Sequence, residues 1–116
     1  MATLAHVPGQ LIEQIEGTLG LSELELAQAL RSNPRTVERW KAGSHYPQRD
    51  ARERLAALEA LTQHLTRTFA TSEAIGSWVH TPSRYLAGLT PAEVLLAGRI
   101  DRVEAALEAL DSGFFV

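Results

Sequence analysis

The chain has 116 residues and a formal net charge of -3; 45% of its residues are hydrophobic, 22% are charged and none is cysteine. A chain of this length forms one ordinary domain, or two very small ones with a shared core. The composition excludes disulfides and thiolate metal sites and offers no apolar run for a membrane span, while Leu, Ala, Glu and Arg dominate, so an all-α cytoplasmic protein without a membrane partner is expected.

Residues 1 to 8 are expected to form a loose arm, and two short helices follow. The first opens at Pro8, and its apolar stripe consists of Leu11, Ile12, Ile15 and Leu19. Ser22 and Glu25 form a capping box, which predicts the start of the second helix. The buried face of the second helix is expected to consist of Leu24, Ala27, Leu30 and, as a further candidate, Leu26.

A third helix is predicted to begin at Pro34, after the N-cap Asn33, and to end before Gly43. Helical spacing turns Val37 and Trp40 inward and leaves polar residues outside. The polar residues are Arg35, Thr36, Glu38 and Arg39. An apolar anchor with a polar outer face is what a DNA recognition helix requires.

The second and third helices together satisfy most steric demands of a helix-turn-helix. Ala27 is the small residue that lets the two helices approach, and Val37 and Trp40 pack back against the scaffold. The turn position that often requires glycine is occupied by Arg31. Either Arg31 takes a left-handed conformation, at a cost on the order of 1 kcal/mol, with its side chain free to reach a phosphate, or the turn differs.

Positive charge is concentrated around this motif although the whole chain is acidic. Residues 31 to 54 hold seven basic and three acidic side chains, against four basic and eleven acidic side chains elsewhere. Such segregation lets one face meet phosphates while the rest repels them. With the helix-turn-helix spacing around it, the segment favours a nucleic-acid surface over a merely solvated helix.

A long helix is predicted from Gln48 to about Phe69. Several of its apolar residues approach heptad spacing on one seam, which consists of Leu55, Leu58, Leu65 and Phe69. Two interpretations remain open at this point. The helix is either a linker or dimer seam, or it is buried against the C-terminal part of its own chain.

Short elements are predicted after the long helix. One short helix stops before Pro82, a turn over residues 83 to 86 ends at Gly88, and a capping box at Thr90 and Glu93 starts another helix. A last helix is predicted from about residue 100 to residue 111, and three large apolar residues follow it. These are Phe114, Phe115 and Val116. Because termini are usually polar and frayed, this tail requires a surface that buries it.

Two parts of the chain resemble known families. Residues 21 to 55 resemble the Xre, or Cro/C1-type, helix-turn-helix, through Leu26, Ala27, Leu30, Thr36, Val37, Trp40, Gly43 and Pro47. Residues 70 to 116 resemble the toxin-binding domain of MbcA/ParS/Xre antitoxins, through Trp78, Pro82, Leu86, Gly88, Thr90, Pro91, Leu95, Gly98, Gly113 and Phe114. Ala87 stands where the second pattern has the first of two glycines.

The resemblance implies an all-α fold, with an N-terminal Xre-like helix-turn-helix bundle over residues 1 to 55, a long helix over 56 to 69, and a small C-terminal toxin-binding domain over 70 to 116. It implies an antitoxin of a type II toxin–antitoxin system. The expected partner is a RES-domain toxin that consumes NAD, whose active-site entrance the antitoxin covers, and the expected DNA partner is its own operator. The chain is expected to be a homodimer within a toxin–antitoxin hetero-oligomer.

The alternative interpretation is a stand-alone Xre-family repressor whose C-terminal half serves dimerisation. Neither interpretation involves catalysis by this chain. The histidines show no metal-ligand spacing, and neither a phosphate loop nor a recognised nucleophile arrangement occurs. No catalytic residue, metal or cofactor is therefore expected.

The resemblance and the residue pattern together give two sets of candidate site residues. In the DNA set, those expected to face the major groove are Asn33, Arg35, Thr36 and Arg39, and those expected nearer the phosphates are Arg31, Ser32, Lys41, Ser44 and His45. The toxin set consists of Trp78, Arg84, Tyr85, Leu86, Leu89, Phe114, Phe115 and Val116. Trp78 and Leu86 have a competing interpretation as core residues, which is favoured for Trp78.

Overall fold

The computed structural model describes residues 8–113, and all regular structure within that range is helical. The helices in chain order are α1 (Pro8–Leu19), α2 (Glu23–Ala29), α3 (Pro34–Ala42), α4 (Arg49–Thr68), α5 (Ser72–Val79), α6 (Pro91–Leu96) and α7 (Ile100–Asp111). A single 3-10 turn, Arg84–Leu86, lies between α5 and α6. The all-α prediction is confirmed.

Local capping explains where α2 and α3 begin. The backbone N–H of Glu25 donates to Ser22 Oγ at 3.1 Å, and the backbone N–H of Ser22 donates to Glu25 Oε1 at 2.9 Å, as a capping box requires. Asn33 Oδ1 accepts from the backbone N–H of Thr36 at 2.9 Å. Because each cap satisfies backbone donors that the helix leaves free, these short helices start where the sequence predicted.

The buried face of α2 differs from the predicted one. Leu24 is 63% exposed, whereas Leu26 is fully buried together with Ala27 and Leu30. A helix turns about 100° per residue, so Leu24 lies about 200° from Leu26 around the axis. The face that packs on the core is centred on Leu26 and Leu30, and the prediction for Leu24 was wrong.

The hydrophobic core is one continuous cluster with side chains from all seven helices. Helix α1 contacts α3, α4 and α5, and α4 in turn contacts α7. The α4 seam residues Leu55, Leu58 and Leu65 are 3%, 0% and 0% exposed. Of the two interpretations of the long helix, burial against its own chain is the one the structure shows. The division into segments at residues 55 and 69 stays a prediction.

A polar clasp joins the end of α4 to α7. The imidazole of His64 lies between two carboxylates, with Nδ1 on Glu104 and Nε2 2.5 Å from Asp111 Oδ2. Thr68 Oγ1 also donates to Asp111 Oδ1, at 2.9 Å. Burial alone would lower the pKa of His64, but the hydrogen bonds to Asp111 and Glu104 outweigh burial and raise that pKa. Hydrogen bonds from His64 and then Thr68 lower the pKa of Asp111.

We expect this clasp to make stability depend on pH. A raised His64 pKa contributes stability that is complete below its ordinary value of 6.5 and is lost as pH rises through the folded-state value. A lowered Asp111 pKa contributes stability that is complete above its ordinary value of 3.8 and is lost as pH falls through the folded-state value. Urea unfolding across a pH series should therefore show the free energy of unfolding decreasing as pH rises above 6.5.

The variant His64→Leu should lose about 2 kcal/mol of stability at mildly acidic pH, because charge-assisted hydrogen bonds are removed, and should lack the alkaline decrease. His45→Leu, at an exposed histidine, is the matched control and should keep that decrease. An unchanged pH profile in His64→Leu would mean that the clasp is not the source of the pH dependence.

Candidate nucleic-acid and protein interfaces

A basic groove lies where the α2–α3 turn, α3 and the start of α4 meet. Its volume is about 440 Å³, and its polar lining residues are Arg31, Ser32, Thr36, Arg39, His45, Tyr46, Gln48, Asp50 and Arg54. Five of the nine residues predicted to contact DNA line this groove. Val37 and Trp40 of α3 are 0% and 5% exposed, and Trp40 also lines the groove. Helix α3 is therefore anchored by its apolar side and presents its polar side, as predicted.

Three further predicted residues lie on the surface near the groove. Arg35 is exposed on the first turn of α3. Asn33 is exposed as well, but its side chain caps α3. Ser44 is exposed after α3, and its hydroxyl donates to the carbonyl of Arg39 at 3.3 Å. Of these three, the guanidinium of Arg35 is the group best suited to a phosphate or a base edge.

Lys41 is placed differently from the rest of the predicted DNA set. Its ammonium lies 3.1 Å from Glu16 Oε1 of α1 and 3.0 Å from Glu23 Oε2 of α2, and its side chain is 22% exposed. Burial alone would lower the pKa of Lys41, but the hydrogen bonds to Glu23 and Glu16 raise it. Because two carboxylates already satisfy this charge, Lys41 holds α3 against α1 and α2, which corrects its placement near phosphates.

The groove includes residues that the site prediction missed. Arg54 of α4 lines it, and Tyr46 is 49% exposed at its edge. The guanidinium carbon of Arg52 lies 5.5 Å from the centre of the Tyr46 ring, and Arg52 Nη1 donates to the carbonyl of Pro47 at 2.9 Å. The sequence placed Arg54 in the basic segment, but only the relative placement of α3 and the start of α4 decides which arginines of α4 face the groove.

The predicted toxin-contacting residues occupy two places. Trp78 of α5 is half-buried, and its ring centre lies 6.1 Å from that of Phe69 at the end of α4. Tyr85 and Leu89 lie between α5 and α6, where Leu89 is 48% exposed and the Arg84 guanidinium lies 5.7 Å from the centre of the Tyr85 ring. These aromatic and apolar side chains offer the kind of contact area that protein interfaces favour.

Leu86 does not share this exposure. It is 2% exposed and belongs to the core, because the 3-10 turn folds its side chain inward. Its inclusion among the partner-contacting residues is therefore corrected in favour of the core interpretation. Phe114, Phe115 and Val116 lie outside the described residues, and their role stays a prediction.

The turn that carries Tyr85 and Leu89 contains an alanine in an unfavourable conformation. Ala87 has φ 58°, followed by Gly88 with φ 86°. Two hydrogen bonds close the turn. The N–H of Gly88 donates to the carbonyl of Ser83 at 2.9 Å, and the N–H of Ser83 donates to the carbonyl of Leu89 at 3.0 Å. Ala87 thus adopts a left-handed conformation that glycine would adopt with less strain.

Replacing Ala87 with glycine is expected to raise the free energy of unfolding by about 1 kcal/mol, since the strain of a left-handed alanine disappears. Ala105→Gly is the matched control, because Ala105 is exposed in the middle of α7 and glycine there should cost about 1 kcal/mol. Chemical denaturation of both variants measures the two effects. If both changes destabilise, residue 87 is not left-handed in solution.

Comparison with known proteins gives consistent results. A family model described as the antitoxin Xre/MbcA/ParS C-terminal toxin-binding domain matches residues 64–113. The chain is 34% identical over 98 residues to the mycobacterial cidal antitoxin MbcA of Mycobacterium bovis and of Mycobacterium tuberculosis, which covers 84% of this chain and 86% of those proteins. A probable mycobacterial cidal antitoxin of M. tuberculosis is 30% identical over 97 residues, covering 84% and 82%.

A solved structure is similar over nearly the whole chain. A chain in the crystal structure of the M. tuberculosis MbcT–MbcA toxin–antitoxin complex matches with a TM-score of 0.72 and 30% identity, covering 96% of this chain and 99% of that one. Within residues 8–113, no helix is both long enough and apolar enough to cross a membrane.

Proposed function

The chain belongs to the Xre/MbcA/ParS family of antitoxins, and from this membership we propose that it neutralises a toxin encoded with it and represses its own operon. The observation that carries the proposal is the similarity, over 96% of this chain, to a chain of a toxin–antitoxin complex. Because the similarity covers nearly the whole chain, the proposed partner-binding role is supported by the complete fold and not by one motif alone. Such a role needs no catalysis by this chain, and its place is the cytoplasm, where operator DNA is found.

The toxin half of the proposal rests on the residues after α4. We infer that the partner is a RES-type toxin that degrades NAD and that the antitoxin covers the entrance to its active site, as the family resemblance implies. Trp78, Tyr85 and Leu89 are side chains on short elements within the matched residues 64–113. Aromatic anchors of this kind supply much of the binding energy in protein interfaces.

The DNA half rests on the basic groove. Arg31, Arg39 and Arg54 converge on it, with the exposed Arg35 on the same helix as Arg39. Cationic side chains on the free face of a short anchored helix suit the major groove and its flanking phosphates. One such helix covers only a half-site, so we propose that the chain binds its operator as a homodimer within the toxin–antitoxin assembly.

The alternative is a stand-alone Xre-family repressor whose C-terminal half serves dimerisation. The two proposals differ in what the C-terminal half binds. A neighbouring reading frame for a RES-like protein supports an antitoxin, and its absence favours the stand-alone repressor.

Co-expression of the chain with the product of the adjacent gene tests the proposal. We expect the two proteins to co-purify, the partner alone to consume NAD, and the complex to consume it far more slowly. A duplex from the region upstream of the chain's own coding sequence should be shifted by the chain or by the complex. A partner that does not co-purify, or whose NAD consumption is unaffected by the chain, would overturn the toxin half.

A further inference from the structure

The turn between α2 and α3 has an arginine where such turns favour glycine. The N–H of Ser32 donates to the carbonyl of Ala27 at 2.8 Å, and the N–H of Arg31 donates to the carbonyl of Gln28 at 3.0 Å. This is the Schellman pattern, whose left-handed residue is usually glycine. Arg31 occupies that position with φ 59°, at a cost on the order of 1 kcal/mol. The backbone of this turn therefore fixes the direction in which the Arg31 side chain leaves the chain.

The side chain of Arg31 lies against a second turn of the same type. Helix α6 ends with the N–H of Arg99 on the carbonyl of Val94 at 3.1 Å and the N–H of Gly98 on the carbonyl of Leu95 at 2.8 Å. Gly98 has φ 82°. A methyl group added to Gly98 would lie 2.8 Å from Nη2 and 3.0 Å from Nε of Arg31. The guanidinium thus rests on the backbone of Gly98, where only a hydrogen atom fits.

This contact lies at the border of the basic groove. Arg31 and Arg54 both line the groove, and Arg54 also lines a neighbouring depression of about 290 Å³ together with Gly98 and Asp101. Asp101 pairs with Arg99, at 2.9 Å from Nη2 of that residue. Within residues 8–113, no carboxylate lies within ion-pair distance of Arg31. The Arg31 charge is held in place without being neutralised.

We propose that Gly98 is a positioning residue for Arg31, so that the turn between α6 and α7, within the matched residues 64–113, completes the phosphate-contacting edge of the basic groove. The inference rests on the proposed DNA binding. It assigns to the α6–α7 turn a role that the toxin-binding resemblance does not contain. Without a side chain at residue 98, the guanidinium packs close to the turn and is aimed along the groove edge; with one, the guanidinium is displaced.

The variant Gly98→Ala tests the proposal, with Gly88→Ala as its matched control. Both glycines have positive φ, at 82° and 86°, so both variants carry similar backbone strain. Only at Gly98 does the added methyl meet a neighbour, since nothing lies within 4 Å of a methyl at Gly88. The neighbour is the far end of a flexible side chain, so the clash moves Arg31 rather than unfolding the turn.

The expected result is about tenfold weaker binding of the upstream duplex by Gly98→Ala, the effect of losing one positioned cationic contact. Gly88→Ala should bind within about twofold of the unmodified chain. In an Arg31→Ala background, which should itself bind about tenfold more weakly, Gly98→Ala should have no further effect, because its target is gone. Arg31→Ala leaves the α6–α7 turn intact. Should Gly98→Ala fold poorly, an Arg31→Ala variant that binds the duplex as well as the unmodified chain would still overturn the inference.

A nuclear magnetic resonance measurement reads the position of Arg31 without DNA. The side-chain Nε–H signal of Arg31 should move in Gly98→Ala and stay in place in Gly88→Ala. Equal DNA affinities of the two glycine variants, additive losses in the Arg31→Ala background, or an unmoved Nε–H signal would each overturn the inference while the proposed function stands. An unmodified chain or complex that does not bind the duplex would overturn the DNA half of the proposed function, and this inference with it.

Discussion

Replacing Arg35 and Arg39 together with alanine is expected to lower the affinity for operator DNA by about a hundredfold or more. Both side chains are exposed on α3, while the opposite side of that helix is buried through Val37 and Trp40. An arginine that reads a base edge contributes about 1–3 kcal/mol of discrimination, and each 1.4 kcal/mol changes the affinity about tenfold. Two such losses on one recognition surface give the stated effect.

The same substitutions should leave the fold intact. Alanine is the strongest helix former, and neither arginine takes part in an ion pair within residues 8–113. The melting temperature should therefore stay close to that of the unmodified chain, and toxin binding should be unchanged. Electrophoretic mobility shift with the upstream duplex, thermal unfolding and a toxin pull-down measure these three properties.

The double variant Arg67→Ala with Arg102→Ala is the matched control for the charge change. Both arginines are exposed, on α4 and α7, and neither lines the basic groove. The control removes the same net charge, so it separates a local contact from a general loss of attraction. If the control weakens DNA binding as much as the α3 variant, the recognition role of α3 is wrong.

Deleting Phe114, Phe115 and Val116 is expected to lower the affinity for the toxin by about a hundredfold, with DNA binding unchanged. A hot-spot residue at an interface centre costs about 2 kcal/mol or more when truncated, so one such aromatic residue in the tail accounts for most of a hundredfold loss. The segment follows α7, which ends at Asp111 next to His64 and Thr68 of α4. The deletion starts beyond this clasp and leaves every described residue in place. Isothermal titration against the purified toxin measures the loss.

A matched control for the deletion is Leu24→Ala. Leu24 is the most exposed of the large hydrophobic residues that the structure describes, at 63%, and it lies on α2 rather than in the matched residues 64–113. The Leu24→Ala substitution removes exposed apolar surface but should affect toxin binding little. A truncated chain that neutralises the toxin as well as the full chain would show that the tail is no anchor.

The sequence predicted three helix starts well because each of them depends on atoms within one turn. Ser22 with Glu25, Asn33 with Thr36, and Thr90 with Glu93 all close hydrogen bonds over three residues. Such local chemistry needs no knowledge of the fold. The inward placement of Val37 and Trp40 was predictable for the same reason, since helical period and an N-cap fix which side of a short helix is apolar.

The predictions that were wrong concern residues whose placement depends on contacts between helices. Lys41 has the charge and the sequence position of a phosphate-contacting residue, but the packing of α1 and α2 brings Glu16 and Glu23 to its ammonium. Leu24 and Leu86 were misassigned for a related reason, because the side of an element that meets the core depends on its neighbours. The basic segment contained Arg54, yet only the placement of the start of α4 beside α3 brings this side chain to the groove.

Because both halves of the chain share one hydrophobic core, the proposed toxin binding and the proposed operator binding depend on the same folded unit. Leu11, Ile12 and Ile15 of α1 belong to the same cluster as Leu95 and Leu107, which lie within the residues 64–113 that match the family model. Removing either half would expose apolar side chains of the other half to water, and the burial of such side chains is what keeps a small domain folded. We therefore expect one proteolytic cut through these helices to unfold the whole chain. The toxin and the promoter should then be released together, so that neutralisation and repression decay with the same half-life in the cell.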